Sequence, residues 1–343
     1  MSDTATSGNA SPGTATSKRR RWPWVLGIIA IVLVLVLATI SSFLQWTVKR
    51  SWPQTSGTIA VAGLSAPVDV VRDEMGIPTI YGDSLSDLMF AEGYVHAQDR
   101  FWEMDVRRHI TAGRLSEMFG ESQVPTDAFL RTLGWRRIAE QEVSMLGDTS
   151  RLMLDSYATG VNAYLEDRPK SDISLEYAVL GLTNPGYQIE QWTPADSVAW
   201  LKALAWDLRG NMTDEIYRVV LASATSVEQA EQVFPPYPFD RNRPIVGGGS
   251  VSGGAYEPSN VMLATDTAAA AMRVAPEEVP GIADTLQGVL AASALLDPWL
   301  GPAGKGIGSN SWAVDGRYTT TGKPILANDP HLAPSMPSLW YQA

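Results

Sequence analysis

The pattern of apolar and polar positions divides the chain into three parts. Residues 22–46 form one uncharged apolar run, and 25–40 are almost entirely aliphatic. Next comes a long region in which apolar residues recur at helical spacing, for example Leu154, Tyr157 and Val161. At the end, short apolar segments alternate with turn residues, as in two strands joined by a loop. The pattern predicts one apolar helix, a helix-rich body and a terminal β-hairpin.

Local signals refine these elements. Strand composition predicts β-strands at 58–62, 68–71 and 77–81. Ser84 and Asp87 resemble a capping box before a long helix. Helices are also expected at 151–165 and 282–296, and Thr193, Pro194 and Asp196 give a strong helix start before Trp200. Trp200 and Trp206 are expected mainly in the core, with a minor chance of lining a substrate pocket.

Composition changes set the expected organisation of the chain. Residues 1–21 are a basic, disordered tail, 22–46 an anchor or signal, and 47–257 the helical body. Residues 258–308 are rich in small residues and read as a spacer. Residues 309–343 begin a further unit. The chain stops inside an apolar run, which suggests a fragment of a longer protein.

The apolar run is long enough for a membrane span, since about 20 residues suffice. The basic cluster 18–21 precedes it, so the positive-inside rule places the N-terminus in the cytoplasm and the body outside. We therefore expect a single-pass protein of the cell membrane with an extracytoplasmic body. The alternative is a cleaved signal peptide, which also exports the body.

Charge and cysteine content exclude several functions. The net charge is −11 despite the basic tail, which argues against a nucleic-acid partner. The chain has no cysteine, so it has no disulfide and no thiol nucleophile. His96 and His109 are too far apart for an i, i+4 metal pair. We expect a hydrogen-bonded structural His96 and a surface His109.

Candidate chemistry is concentrated at the terminal hairpin. Ser309 precedes a strand at 312–314, and a returning strand at 324–327 leads to Asp329 and His331. In an antiparallel pair, the start of one strand lies beside the end of the other. We therefore expect Ser309 to lie close to the corner formed by Asp329 and His331.

A serine hydroxyl needs a base to become a nucleophile. Cleavage between Gly308 and Ser309 would supply one, because a free α-amino group has a pKa of about 7.7–8.0. Much of it is unprotonated near neutral pH, which suits a general base. Glycine before the cut tolerates a strained backbone during self-cleavage.

The sequence Gly308-Ser309-Asn310-Ser311-Trp312 and the later Asn328-Asp329-Pro330-His331-Leu332 resemble the penicillin acylase (penicillin amidase) family. The stretches 92–100 and 157–164 also resemble its α chain. These N-terminal nucleophile hydrolases are made as one zymogen precursor and cut into α and β chains. The resemblance implies that Ser309 is the nucleophile with its own amine as base. It places His331 near the oxyanion site.

The resemblance also implies an α+β fold with a four-layer αββα core, incomplete here, and a helix-rich α chain. It implies a structural calcium ion held in part by Glu215, with no organic cofactor. The substrates would be N-acylated small molecules such as penicillins or N-acyl homoserine lactones. The partners would be the α and β chains of one precursor, together with the membrane through the N-terminal helix. An asparagine of the oxyanion hole would lie beyond residue 343.

Two other readings remain open. A non-catalytic, membrane-anchored protein that binds an envelope partner would also have an acidic, aromatic-rich helical body. Its chain would stay intact at Gly308. A serine hydrolase that uses His331 as its base would need no cleavage for hydrolysis.

Overall fold

The computed structural model describes residues 22–235, 238, 241–242, 249–252, 255–258, 280–301, 308–332 and 334–343. The chain divides into two compact units, residues 1–52 and 53–343. The first contains one described helix, α1 (Trp22–Lys49). Its stretch Trp24–Lys49 has a mean hydropathy of 2.8 and no side chain in the most apolar window is buried. The apolar helix is confirmed, and its insertion into a membrane stays a prediction because signal sequences share this composition.

The second unit begins with an antiparallel pair, β1 (Asp69–Arg72) and β2 (Pro78–Tyr81), in which Val70 lies opposite Ile80. A series of helices follows: α2 (Leu85–Ala112), α3 (Leu115–Phe119), α4 (Val124–Leu133), α5 (Trp135–Val143), α6 (Asp148–Leu165), α7 (Lys170–Ile173), α8 (Leu175–Thr183), α9 (Pro194–Asp207), α10 (Met212–Ala224) and α11 (Val227–Val233).

The elements that follow α11 are separated by stretches that the structure does not describe. They are the antiparallel pair β3 (Gly249–Ser252) and β4 (Ala255–Pro258), then α12 (Ile282–Ser293), α13 (Asp297–Leu300), β5 (Gly308–Val314) and β6 (Ile325–His331). The predicted helix at 282–296 is confirmed, its last turn being a 3-10 helix. Most of the predicted spacer lies outside the described residues.

Two helix starts follow from their capping residues. Ser84 accepts a hydrogen bond from the Asp87 backbone N–H at 3.1 Å and begins α2. Thr193 and Asp196 form a complete capping box at α9, with Pro194 in the first turn. These contacts satisfy backbone N–H groups that have no partner within a helix. Both predicted starts are confirmed.

Helix α2 is the centre of the second unit, and it packs against α6 with backbone against backbone. A Cβ atom on Gly93 would overlap the Tyr157 carbonyl, and one on Gly160 would overlap the Phe90 carbonyl. Glycine is therefore required on both sides of the crossing. The close approach also brings large side chains of the two helices together, as in the edge-on pair of Tyr94 and Tyr164, whose ring centroids are 5.5 Å apart.

The core has two larger apolar clusters along α2. The first joins α2, α6 and α8 through buried side chains that include Phe101, Val161 and Tyr177. The second contains Leu130 and Leu296, which are both about fully buried. Since Leu296 belongs to the predicted spacer, at least this part of the spacer is packed into the folded chain.

A charged network is buried between α2 and α8. The Asp105 carboxylate accepts hydrogen bonds from Arg108, Tyr177 and Tyr187 at 2.5–3.0 Å. Burial raises the pKa of Asp105, but the hydrogen bond from His109 and the charge of Arg108 outweigh it and lower the pKa to about 2. A buried carboxylate with this many donors joins separate helices into one core.

Two predictions were wrong. No strand forms at 58–62, which lack a neighbouring strand in the described structure, although Val61 packs against the first cluster. His109 is buried rather than at the surface, with 1% of its area exposed. Its Nδ1 lies 2.7 Å from the Asp105 carbonyl oxygen. The charged residues next to His109 suggested an exposed face of α2, but Asp105 and Arg108 pair with each other inside the protein. His96 is hydrogen-bonded as expected, to the Tyr157 hydroxyl at 2.6 Å.

The helix crossing gives a direct test of packing. Gly160→Ala should lower the free energy of unfolding by about 2 kcal/mol or more, because the new methyl group meets backbone that cannot move aside. Gly181→Ala is the matched control, since a Cβ there meets no atom within 4 Å. It lies within α8 and should stabilise by about 0.5–1 kcal/mol. Thermal unfolding of the two variants would contradict this packing if Gly160→Ala were the more stable.

Candidate active site

The terminal hairpin forms with the register expected from the sequence. β5 and β6 are antiparallel, and Ser309 pairs with Pro330 while Gly308 pairs with His331. The connection turns at Gly316, where a Cβ would overlap the Gly322 carbonyl, and at Gly322, whose φ of +68° favours glycine. The bond between Gly308 and Ser309 therefore lies directly beside the end of β6, as predicted.

The register separates Ser309 from the His331 side chain. Paired residues of antiparallel strands share a face, and neighbours along a strand alternate. Gly308, Asn310, Asp329 and His331 consequently lie on one face of the hairpin, whereas Ser309 lies on the other. The backbone of His331 therefore lies beside the Gly308–Ser309 bond, whereas its imidazole lies on the face opposite the Ser309 side chain.

His331 makes its own contacts on that face. Its Nδ1 lies 2.9 Å from the Asp329 carbonyl oxygen, and its Nε2 lies 3.5 Å from the Asp329 carboxylate. These contacts hold the imidazole against β6. They fit a positioning residue better than a base for Ser309.

The bond between Gly308 and Ser309 lies in an open part of the chain. Gly308, Ser309 and Asn310 are all exposed, and Pro330 has no N–H to donate to the ladder opposite Ser309. Gly308 lies in a regular strand and does not have a positive φ. A Cβ at Gly308 would meet no atom within 4 Å, so glycine is not required there by packing.

The segment after the hairpin is fastened to α2. The Tyr341 hydroxyl donates to the Asp99 carboxylate at 2.7 Å, and the Tyr341 ring stacks on His96 with centroids 4.3 Å apart. Arg72 of β1 binds both oxygens of Asp99 at 2.8 and 3.0 Å. Arg100 adds a hydrogen bond to the Ser338 carbonyl oxygen at 3.2 Å. We call residues 338–341 the strap.

Burial and two arginines of α2 keep His96 neutral. Burial, followed by the charges of Arg100 and Arg107, lowers the pKa of His96 to about 4. A neutral imidazole stacks on Tyr341 and exchanges a hydrogen bond with Tyr157 without a counter-ion. His96 is therefore structural at neutral pH. No local pattern indicates this strap, since Tyr341 and Asp99 are 242 residues apart.

Two cavities lie beside α2 near the strap. One, of about 320 Å³, is bounded by His96, Arg100 and Tyr341. The other, of about 440 Å³, is bounded by Trp102, Trp200 and Trp299, and by Leu332, which directly follows His331. Trp200 thus lines a cavity as well as packing against the core, whereas Trp206 packs edge-on against Phe129 and Trp135.

The expected calcium ligand does not form a site with the described residues. Glu215 lies in the first turn of α10, exposed, and accepts a hydrogen bond from the Asn211 side chain at 2.6 Å. Calcium takes six to eight oxygen ligands. The described residues contain no group of three or more acidic, histidine or cysteine side chains suited to a metal ion. One carboxylate does not meet the requirement, and the calcium site stays a prediction.

Comparison with known proteins identifies the family. Residues 67–343 match the penicillin amidase family, and the chain belongs to that family. It is 33% identical over 307 residues to the acyl-homoserine lactone acylase QuiP of Pseudomonas aeruginosa, a match that covers 90% of this chain and 32% of the relative. It is 32% identical over 302 residues to the penicillin acylase 2 proenzyme of Pseudomonas sp. strain SE83, covering 86% and 34%. The chain spans about a third of the length of these relatives.

A solved structure, the thermostable penicillin G acylase from Alcaligenes faecalis, is also similar to part of this chain. It has 25% sequence identity and a TM-score of 0.40, and the match covers 54% of this chain and 97% of that one.

The register of the hairpin can be tested with cysteines, because the chain has none of its own. Ser311 and Asn328 are directly paired. Paired Cα atoms in antiparallel strands are about 4.5–5.5 Å apart, within disulfide range. Ser311→Cys with Asn328→Cys should form a disulfide on mild oxidation, measured by loss of free thiols.

Ser311→Cys with Ala327→Cys is the control for this experiment. It is one residue out of register, so the two thiols lie on opposite faces and should stay free. Oxidation of the control pair in preference to the matched pair would show that the register is shifted.

Proposed function

We propose that this chain is the start of a self-processing amidohydrolase in which Ser309 is both the cleavage-site residue and the nucleophile. The main support is the register of the hairpin in a member of the penicillin amidase family. It places an exposed Gly308–Ser309 bond beside the end of β6. The imidazole of His331 lies on the other face, which favours a base that belongs to Ser309 itself.

Processing would proceed by an acyl shift. The Ser309 Oγ attacks the Gly308 carbonyl carbon, the C–N bond to Ser309 breaks, and an ester forms as the nitrogen takes the proton. Water then hydrolyses the ester. The products are a Gly308 carboxylate and a Ser309 that carries a free amine and a free hydroxyl.

The mature residue would then act on substrate amides. Its amine takes the Oγ proton as the oxygen attacks the acyl carbon, and it passes this proton to the leaving amine. The resulting acyl-enzyme is hydrolysed by water, with the same amine as base. Donors for the developing oxyanion would come from outside these residues, and loss of one such donor typically costs about 100-fold or more in rate.

The substrate class follows from the relatives. Two are named for penicillins and for acyl-homoserine lactones, and both of these compounds are N-acylated small molecules. We propose the same class here. We also propose that α1 anchors the protein in the cell membrane with its body outside. Glu215 would contribute one ligand to a structural calcium ion whose other ligands lie elsewhere in the protein. The described residues by themselves would not hold that ion.

Removal of the nucleophile should stop processing. In full-length protein, Ser309→Ala should run as one uncut chain on a denaturing gel, because no hydroxyl attacks Gly308. Ser311→Ala is the matched control, since Ser311 is the next serine on the same face of β5. It should be cut normally. A Ser309→Ala protein that still divides into two chains would contradict the proposed chemistry.

The identity of the base is a separate prediction. In mature protein, His331→Ala should lower kcat by less than about 100-fold. Loss of a general base is expected to lower kcat by about 100-fold or more. The acid limb of the pH profile of kcat should remain, because the α-amine still titrates. Loss of that limb together with nearly all hydrolysis, but with normal processing, would identify His331 as the base instead.

A further inference from the structure

Arg107 differs from the other arginines of α2. Arg100 pairs with Glu103 at 3.0 Å, and Arg108 pairs with Asp105 at 2.5 Å. Arg107 forms no ion pair or hydrogen bond with any residue in the described part of the chain. Its guanidinium instead lies over the ring of Trp200, 4.6 Å from the centroid. Burial lowers the pKa of Arg107, and the charge of Glu103 offsets this only in part.

The position of Arg107 gives it access to a ligand. It borders both cavities beside α2. The larger one, of about 440 Å³, is otherwise mainly apolar and contains three tryptophans. A cavity with this composition suits a small molecule with an apolar body and one charged group. An arginine fixed over an aromatic ring presents its N–H groups for two-point binding of a carboxylate.

Other charges near the cavity do not replace this missing partner. Glu103 borders the cavity too and raises the pKa of Arg107 through its charge, but its ion pair is with Arg100 at 3.0 Å. Asp207 also borders the cavity, and the cation that lowers its pKa is Arg209. Neither acid is within ion-pair distance of Arg107. Among the residues that the structure describes, the Arg107 guanidinium therefore has no ion-pair partner.

The cavity is adjacent to the proposed nucleophile. Leu332 lies in its wall and directly follows His331, which pairs with Gly308. A molecule held in the cavity would thus be close to the end of the hairpin where Ser309 lies. Trp299 and Leu300, from the predicted spacer, cover another side.

We propose that Arg107 binds the carboxylate of an amphiphilic small molecule whose apolar part occupies this cavity. This inference rests on the proposed function, because it assigns the ligand to the amidase reaction. It predicts a preference within the substrate class. Penicillins and N-acyl amino acids carry a carboxylate, whereas N-acyl homoserine lactones do not. Arg107 should favour the former.

Equilibrium binding to the full-length protein, cut or uncut, tests the site without hydrolysis. Decanoate and decanamide have the same chain and differ in charge. Arg107→Gln should weaken decanoate binding about ten- to a hundredfold, as expected for loss of a charge-assisted hydrogen bond, and should change decanamide binding less than about threefold. Arg107→Lys should keep part of the affinity. Arg137→Gln, on the exposed side of α5, controls for net charge.

Kinetics then place the ligand in the reaction. For an N-acyl homoserine and its lactone with the same acyl chain, Arg107→Gln should lower kcat/KM about ten- to a hundredfold for the open carboxylate and much less for the lactone. Equal losses on both substrates, or wild-type protein that binds decanoate no better than decanamide, would overturn the proposal.

Failure of the proposed function is distinguishable from these outcomes. A protein that is not cut at Gly308, or that hydrolyses no amide, would still give the binding affinities. The selective effect of Arg107→Gln on decanoate therefore stands or falls independently of the Ser309 chemistry.

Discussion

The pairing of β5 with β6 is the constraint on which the candidate site depends. It aligns a bond that would be cut with the last residue of the returning strand, and it fixes which side chains share a face. Because a strand alternates, the same register that brings His331 opposite Gly308 directs its imidazole away from Ser309. The proposed base, the α-amine of Ser309 itself, would need no partner from the opposite strand.

Helix α2 connects that hairpin to the rest of the molecule. Its glycine contact with α6 fixes its position, and its next turns carry His96 and Asp99, which hold the strap. Two turns further along, Arg107 faces the tryptophan-lined cavity. The glycine crossing, the contacts that hold the strap and the proposed ligand site at Arg107 thus follow one another along α2. A change at the crossing would therefore affect the site at a distance.

Local patterns predicted the elements but not the long-range contacts. Turn residues and strand composition around Gly316 were enough to predict the hairpin, and capping residues marked the starts of α2 and α9. The burial of His109 was missed because the partners of Asp105 and Arg108, Tyr177 on α8 and the carbonyls of Glu190 and Gln191, lie far away in sequence. The strap and the unpaired Arg107 depend on residues far apart in sequence, and no local pattern reports them.

The most direct measurement is N-terminal sequencing of the chains in full-length protein purified from its native cells. We expect a chain that begins Ser-Asn-Ser-Trp, which would place the free amine on Ser309. An active amidase whose Gly308–Ser309 bond is intact would contradict it, because the hydroxyl would then work without the amine proposed as its base.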